Sequence, residues 1–153
     1  MSSISDAIQD KCLAFGDRII KLNDYLLAQA SSPMTDGGRM KDDGKKHRTS
    51  NFKHHTSRVP VHLQSVATLA NQLLRSGTSI GANNAEATSA ISKADFKSKS
   101  YIALKEARES LYWIELLHRN AYLGDKQYAS IYADCEELVK LLVTRSKKLD
   151  EQM

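Results

Sequence analysis

The sequence predicts an all-α fold: an antiparallel up-down-up-down four-helix bundle that assembles as a ring-shaped homo-oligomer. Three observations predict it. Apolar residues recur at alternating steps of four and three through four long stretches, the period of a helical seam and not of a strand. Short turns join the last three stretches, which favours antiparallel neighbours. Two of the stretches carry more apolar surface than one bundle can enclose. The chain has 153 residues, the length of a single domain, with 41% hydrophobic and 26% charged residues.

Helix one is predicted from Ser5, an N-cap candidate, to Ala30. Ile8, Cys12, Phe15, Ile19, Leu22 and Leu26 make its seam. A second stripe, Leu13, Ile20 and Leu27, lies roughly 120–160° around the helix at about 100° per residue. One stripe serves the chain's own core. The other requires a further partner.

Residues 31–60 carry Gly-Gly, clustered charge and few apolar side chains. Such a segment buries too little surface to offset its ordering entropy, so a flexible basic loop is predicted. A structureless connection this long is usually functional or disordered. Its bases are Arg39, Lys41, Lys45, Lys46, Arg48, Lys53 and Arg58; its acids are Asp36, Asp42 and Asp43. Seven bases against three acids leave +4, the net charge of the whole chain.

Helix two is predicted from Pro60, tolerated in a first turn, to Ile91. Leu63, Val66, Ala70, Leu73, Gly77, Ile80, Asn84, Ala87 and Ile91 continue the seam. Gly77, Gly81, Ala85 and Ser89 recur every fourth residue. Glycine inside a helix costs about 1 kcal/mol relative to alanine, so a second backbone is expected close by. That backbone belongs either to the same bundle or to another subunit.

Helix three is predicted from Asp95 to Asn120, with Ser92 and Asp95 as N-cap candidates. Phe96, Ala103, Ala107, Ile114 and Leu117 form its seam. Ile102 and Trp113 occupy one flank, Leu104, Leu111 and Tyr122 the other, while Tyr101, Tyr112 and Leu116 point away. A helix apolar on all sides is buried on all sides. Another copy is expected to cover the outer face, with Leu13, Ile20, Leu27, Gly77, Gly81, Ile102, Tyr112 and Trp113 as interface candidates.

Leu123-Gly124-Asp125 marks the next turn, with Gly124 as C-cap candidate. Helix four is predicted from Asp125 to Leu149, with Tyr128, Ile131, Cys135, Leu138, Leu142 and Leu149 facing the core. Arg145, Lys147 and Lys148 complement the negative end of that helix. With Lys140 they make a second basic patch.

Two stretches are specific: RSGTSIGANNAEA at 75–87 and IALKEARESLYWIELL at 102–117. They resemble the four helix bundle proteins encoded in intervening sequences of large-subunit ribosomal RNA genes. The resemblance implies a left-handed bundle that forms a ring-shaped homopentamer, with no established enzymatic activity. It also points to a structural relative, the accessory variability protein of diversity-generating retroelements. That relative is a basic pentameric barrel that binds nucleic acid and a reverse transcriptase. The chain departs from the family pattern between helices one and two, where a short connection is usual and the basic loop intrudes here.

Catalytic and metal signatures are weak. Glu115 and His118 have the Glu-x-x-His spacing of di-iron bundles, but a second copy and two further glutamates are missing. Glu86, Glu106 and Glu109 lie near the small-residue seam. Acid–base work is one reading; a structural network of Glu86 and Glu106 with Ser76, Ser79, Asn83, Lys105 or Arg108 is the other and is preferred. Arg75-Ser-Gly-Thr-Ser-Ile-Gly lacks the Gly-Lys-Ser/Thr ending of a phosphate loop. His47, His54 and His55 have no paired cysteine or acidic ligand set. Cys12 and Cys135 fall on apolar helical positions and read as buried free thiols. No cofactor, metal site or catalytic residue is expected.

The first ten residues lack a basic and an apolar signal region, and no apolar run approaches the roughly 20 residues of a membrane span. A cytoplasmic protein with no membrane partner is expected. The functional expectation is a non-enzymatic, homopentameric, nucleic-acid-binding bundle, with RNA as ligand and a retroelement reverse transcriptase as partner. The loop bases would contact phosphates, and Phe52 offers an aromatic for stacking on an unpaired base. The alternative is a protein–protein scaffold.

Overall fold

The repeating three-and-four spacing of apolar residues produces four α-helices: α1 (Ile4–Ser31), α2 (Val61–Thr88), α3 (Lys93–Arg119) and α4 (Asp125–Glu151). A computed structural model describes residues 4–31 and 61–151, with side chains over 6–29 and 64–151. Pro60 and the basic segment lie outside the described residues. Among the described residues there is no strand, and no helix is long and apolar enough to cross a membrane.

The seams predicted from spacing form the core. Ile8, Phe15, Ile19 and Leu26 of α1 are fully buried with Leu73 and Ile80 of α2, Ile114 and Leu117 of α3, and Leu138 and Leu142 of α4. Each such side chain stabilises the fold by roughly 1.5–3 kcal/mol through burial. The helices pack as α1 on α2, α2 on α3, α3 on α4 and α4 on α1, and no diagonal pair brings its backbones within 8 Å. Paired contacts fall in number on one helix as they rise on the next. Cys12 sits at Gly81 and Ile19 at Gly77. Ser76 meets Ser110 and Glu86 meets Lys99. Cys135 meets Ala107 and Asp150 meets Lys97.

The glycines of α2 admit α1 of the same chain. A β-carbon added at Gly77 would stand 3.1 Å from Ile19 Cγ1, and one at Gly81 would stand 3.3 Å from Cys12 Cβ. Ile19 is buried and β-branched, so it has little room to move.

Three helix ends differ from the sequence reading. Helix α1 begins at Ile4, so Ser5 lies within it and is not its N-cap. Helix α2 stops at Thr88 and not at Ile91, which is 96% exposed. The cause is the next N-terminus. The Ser92 side chain accepts from the Asp95 amide (3.1 Å), and Asp95 Oδ2 accepts from the Ile91 amide (3.2 Å). This capping arrangement starts α3 at Lys93 and pulls Ile91 off the seam. The third difference is at the far end of α3. Ala121, not Gly124, adopts the left-handed conformation (φ 59°). The Tyr122 amide donates to Leu117 O and the Ala121 amide to His118 O, both at 2.9 Å, the bonding of a Schellman ending.

Two substitutions test this packing by denaturant unfolding. Gly77→Ala is expected to lower stability by roughly 1 kcal/mol, because overpacking outweighs the gain in helix propensity. Ala121→Gly is expected to raise it by up to about 1 kcal/mol, because glycine occupies the left-handed region without strain.

Candidate functional site

The seam of α2 carries an amide into the middle of the bundle. Asn84 stands between Ile80 and Ala87 and is fully buried, so its polar atoms must be bonded within the chain. Its Nδ2 donates to Gln9 Oε1 of α1 at 2.6 Å, and its Oδ1 accepts from Arg145 Nη1 of α4 at 2.6 Å. The Arg145 guanidinium lies 5.5 Å over the Phe96 ring of α3. One amide thus gathers side chains from all four helices. Burial lowers the Arg145 pKa from its ordinary value. Its Nε and Nη2 are buried with no hydrogen-bond partner among the described residues.

This placement corrects the sequence reading of Arg145 as part of a solvent-facing patch. The sequence holds the signal: Leu138, Leu142, Arg145 and Leu149 follow one another by fours and threes. The basic character of its neighbours hides a seam position. Lys140 is paired with Glu136 at 2.8 Å, and Lys147 and Lys148 are exposed. The seven bases of the predicted loop, Arg39, Lys41, Lys45, Lys46, Arg48, Lys53 and Arg58, all lie outside the described residues.

The expected serine–glutamate network separates into independent contacts. The Ser76 and Ser110 hydroxyls meet at 2.9 Å, both fully buried, and tie α2 to α3. Asn83 donates to the backbone of Ser79 at 2.9 Å, within α2. Glu86 pairs with Lys99, not with the serines. Burial, then the Glu109 carboxylate, pushes the Glu106 carboxyl above its usual range. Glu109 itself accepts from Trp113 Nε1 at 3.1 Å.

Glu115 and His118 are both engaged with neighbours. Glu115 accepts from the Tyr128 hydroxyl at 2.6 Å and from Arg119 Nε at 2.7 Å, which hold its carboxyl below the usual range. His118 stacks on Tyr128 with ring centres 3.9 Å apart. Among the described residues no group of three or more His, Cys, Asp or Glu is arranged to hold a metal ion. Cys12 and Cys135 are free and buried, as their spacing implies. Burial pushes their thiols up to about 11 and about 12, far from the reactive thiolate at neutral pH.

The interface candidates divide into two surfaces. Leu13 (60% exposed), Ile20 (46%) and Leu27 lie on the outside of α1. Beside them runs a groove of about 310 Å³ between α1 and α2, floored by Gly16, Gly81, Ala82 and Ala85. On α3, Ile102 and Tyr112 (58%) are exposed. The half-buried Trp113 meets Tyr112 edge-on with ring centres 4.8 Å apart. Gly77 belongs to neither surface, being buried against Ile19.

Residues 49–144 match the family model of the 23S rRNA-intervening sequence protein. The chain belongs to that family. A solved relative is a protein of unknown function from the S23 ribosomal protein family of Bacteroides thetaiotaomicron. It shares 35% identity over 95% of this chain and 99% of that chain, with a TM-score of 0.69. No curated protein matches. In this 23S rRNA-intervening sequence protein the matched span takes in α2, α3 and most of α4. It holds Ser76, Asn84 and Ser110 and ends one residue before Arg145.

Thermal and denaturant unfolding test the central cluster. Asn84→Ala strands Gln9 and Arg145 and is expected to cost about 2–3 kcal/mol. Arg145→Met keeps the packed stem while removing the buried charge and its orphan donors. It also leaves the buried Asn84 Oδ1 without its donor, so it is expected to cost about 1–2 kcal/mol, less than Asn84→Ala.

Proposed function

We propose that this chain is a non-enzymatic, nucleic-acid-binding homopentamer of up-down-up-down bundles. RNA is its ligand, and it acts as accessory to a reverse transcriptase of a diversity-generating retroelement. The observation that carries the binding reading is the location of charge: residues 31–60 hold the chain's entire excess of +4. Repeated around a ring, such segments would present a dense field to phosphates and release their counterions. Membership of a family named for ribosomal RNA intervening sequences is in keeping with a genetic element that works through RNA. The opposed numbering of paired contacts supports the up-down order. The exposed apolar stripes of α1 and α3 support assembly, because single chains seldom leave such surface in water. Glu86, Glu109 and Glu115 are engaged in structural contacts, which favours a non-enzymatic role, and two free buried thiols suit the cytoplasm.

A protein–protein scaffold is the second reading. It is favoured by the inward turn of Arg145 and the pairing of Lys140, which take two of the four bases out of the second basic patch.

Electrophoretic shift with total cellular RNA separates the two. Binding is expected at low salt and should weaken about a thousandfold at moderately high salt. Deleting residues 35–57 should abolish both the shift and its salt dependence. Unchanged affinity in the deleted chain would refute the loop's role, and no shift by the intact chain at low salt would leave the scaffold.

A further inference from the structure

Two stripes that face solvent in a single chain share one spacing and carry opposite charge. On α1, Asp10, Leu13, Asp17, Ile20, Asp24 and Leu27 follow one another by alternating steps of three and four, and all are exposed. On α3 the same stepping runs through Tyr101, Lys105, Arg108 and Tyr112, again all exposed. The first stripe alternates carboxylate with aliphatic. The second sets two bases between two tyrosines. Steps averaging 3.5 residues are those of helices that lie along one another with side chains interlocked.

Neither set of charges is ion-paired at home, although Lys105 acts at longer range on the half-buried Glu106. Asp10, Asp17 and Asp24 form no ion pair among the described residues, nor do Lys105 and Arg108. The bases Lys11 and Arg18 of α1 are taken by Glu137 and Asp134 of α4. Acids near the α3 stripe are engaged elsewhere or withdrawn from the surface. Glu109 accepts from Trp113, Glu115 from Tyr128 and Arg119, and Glu106 is half-buried. Asp150 pairs with Lys97 and accepts from the Tyr101 hydroxyl at 2.7 Å, which leaves the Tyr101 side chain 40% of the residue's surface in water. Lys21 borders the α1 stripe and leaves its balance acidic. Helices α1 and α3 stand at opposite corners of the bundle with no backbone contact, so one chain cannot bring its own stripes together.

We infer that the basic–aromatic stripe of α3 in one copy docks on the acidic–aliphatic stripe of α1 in the next copy. The contact joins unlike surfaces. It therefore leaves a free stripe at each end of a pair and is satisfied throughout only when the chain of copies closes into a ring. The groove floored by glycine and alanine beside Leu13 and Ile20 has the shape to receive the most exposed aromatic of the α3 stripe, Tyr112. This rests on the reading that the chain is a homo-oligomer, and adds which faces meet and in what order.

The test is charge exchange in the full-length protein, read by sedimentation velocity across a concentration series, with circular dichroism as the check on helicity. The wild type is expected to assemble. Asp10→Lys with Asp17→Lys, or Lys105→Glu with Arg108→Glu, should each weaken association about tenfold or more. All four changes together should restore it to within a few-fold. Mixing the two double variants should give species containing both chains at concentrations where each alone is monomeric. Because strict alternation cannot close a ring of five, these should stay open or carry one mismatched joint. If a reversed chain loses helicity, Asp10→Asn with Asp17→Asn and Lys105→Gln with Arg108→Gln are read instead as a double-mutant cycle. Each pair alone should weaken association, and the fourfold neutral chain should weaken it little more than either pair, whereas additive losses overturn the pairing. A wild type that assembles but ignores both reversals overturns this pairing and spares the oligomer. Weakening by each reversal without recovery in the fourfold variant also overturns it. A wild type that stays monomeric overturns both the pairing and the oligomer.

Discussion

In a square of four helices each helix can turn only one face inward, and α1 and α3 each carry two faces that avoid water. The backbones of α1 and α3 do not meet, and the outer stripe of each is exposed in a single chain. Leaving side chains such as Leu13, Ile20 and Tyr112 about half in water forgoes part of the roughly 1.5–3 kcal/mol that full burial of each contributes. Isolated exposed apolar residues are ordinary, whereas ordered stripes on two sides of a bundle are the mark of an interaction surface. The inner seams make the bundle, and in the proposed assembly the outer seams would meet other copies.

The inner seams combine close packing with a small amount of buried polarity. Gly77 and Gly81 let α1 settle against α2, at the expense of helix propensity. Asn84, Gln9 and Arg145 then link three helices by hydrogen bonds, and Phe96 adds the fourth by lying under the guanidinium. A buried charge of this kind is weak evidence for added stability. Sliding α1, α2 or α4 by a turn would break these bonds and leave buried polar atoms unpaired, which favours the observed register. Ser76 and Ser110 act in the same sense between α2 and α3.

Most of the fold is legible in the sequence because one period runs through every helix. Most residues of the seams named from spacing are buried, with Leu22, Phe96, Tyr128 and Leu149 half-buried and Ile91 exposed, and helix limits agree within a few residues. Ile91 fits the seam by its own spacing, while the Ser92–Asp95 cap that removes it competes locally and wins. Gly124 is the natural left-handed candidate, yet the helix ends one turn earlier and forces Ala121 into that role. The site is less legible. Arg145 falls on a seam step, but its charge and its basic neighbours point to the surface. Glu86 has serines nearby on its own helix, whereas its partner is Lys99 of α3. Partners across helices depend on register, and spacing within one helix does not supply it. The charge of residues 31–60 is readable from composition alone, and composition carries no geometry.

The most direct measurement of whether the outer seams are covered is hydroxyl-radical footprinting of the intact protein over a range of concentrations. Ile91, 96% exposed and on neither stripe, serves as the internal standard. If α1 and α3 meet partner surfaces, Leu13 and Tyr112 will be protected at micromolar concentration and become reactive on dilution, while Ile91 reacts throughout. Leu13 and Tyr112 reacting as readily at high concentration as at low, in proportion to their exposure in a single chain, would contradict the account.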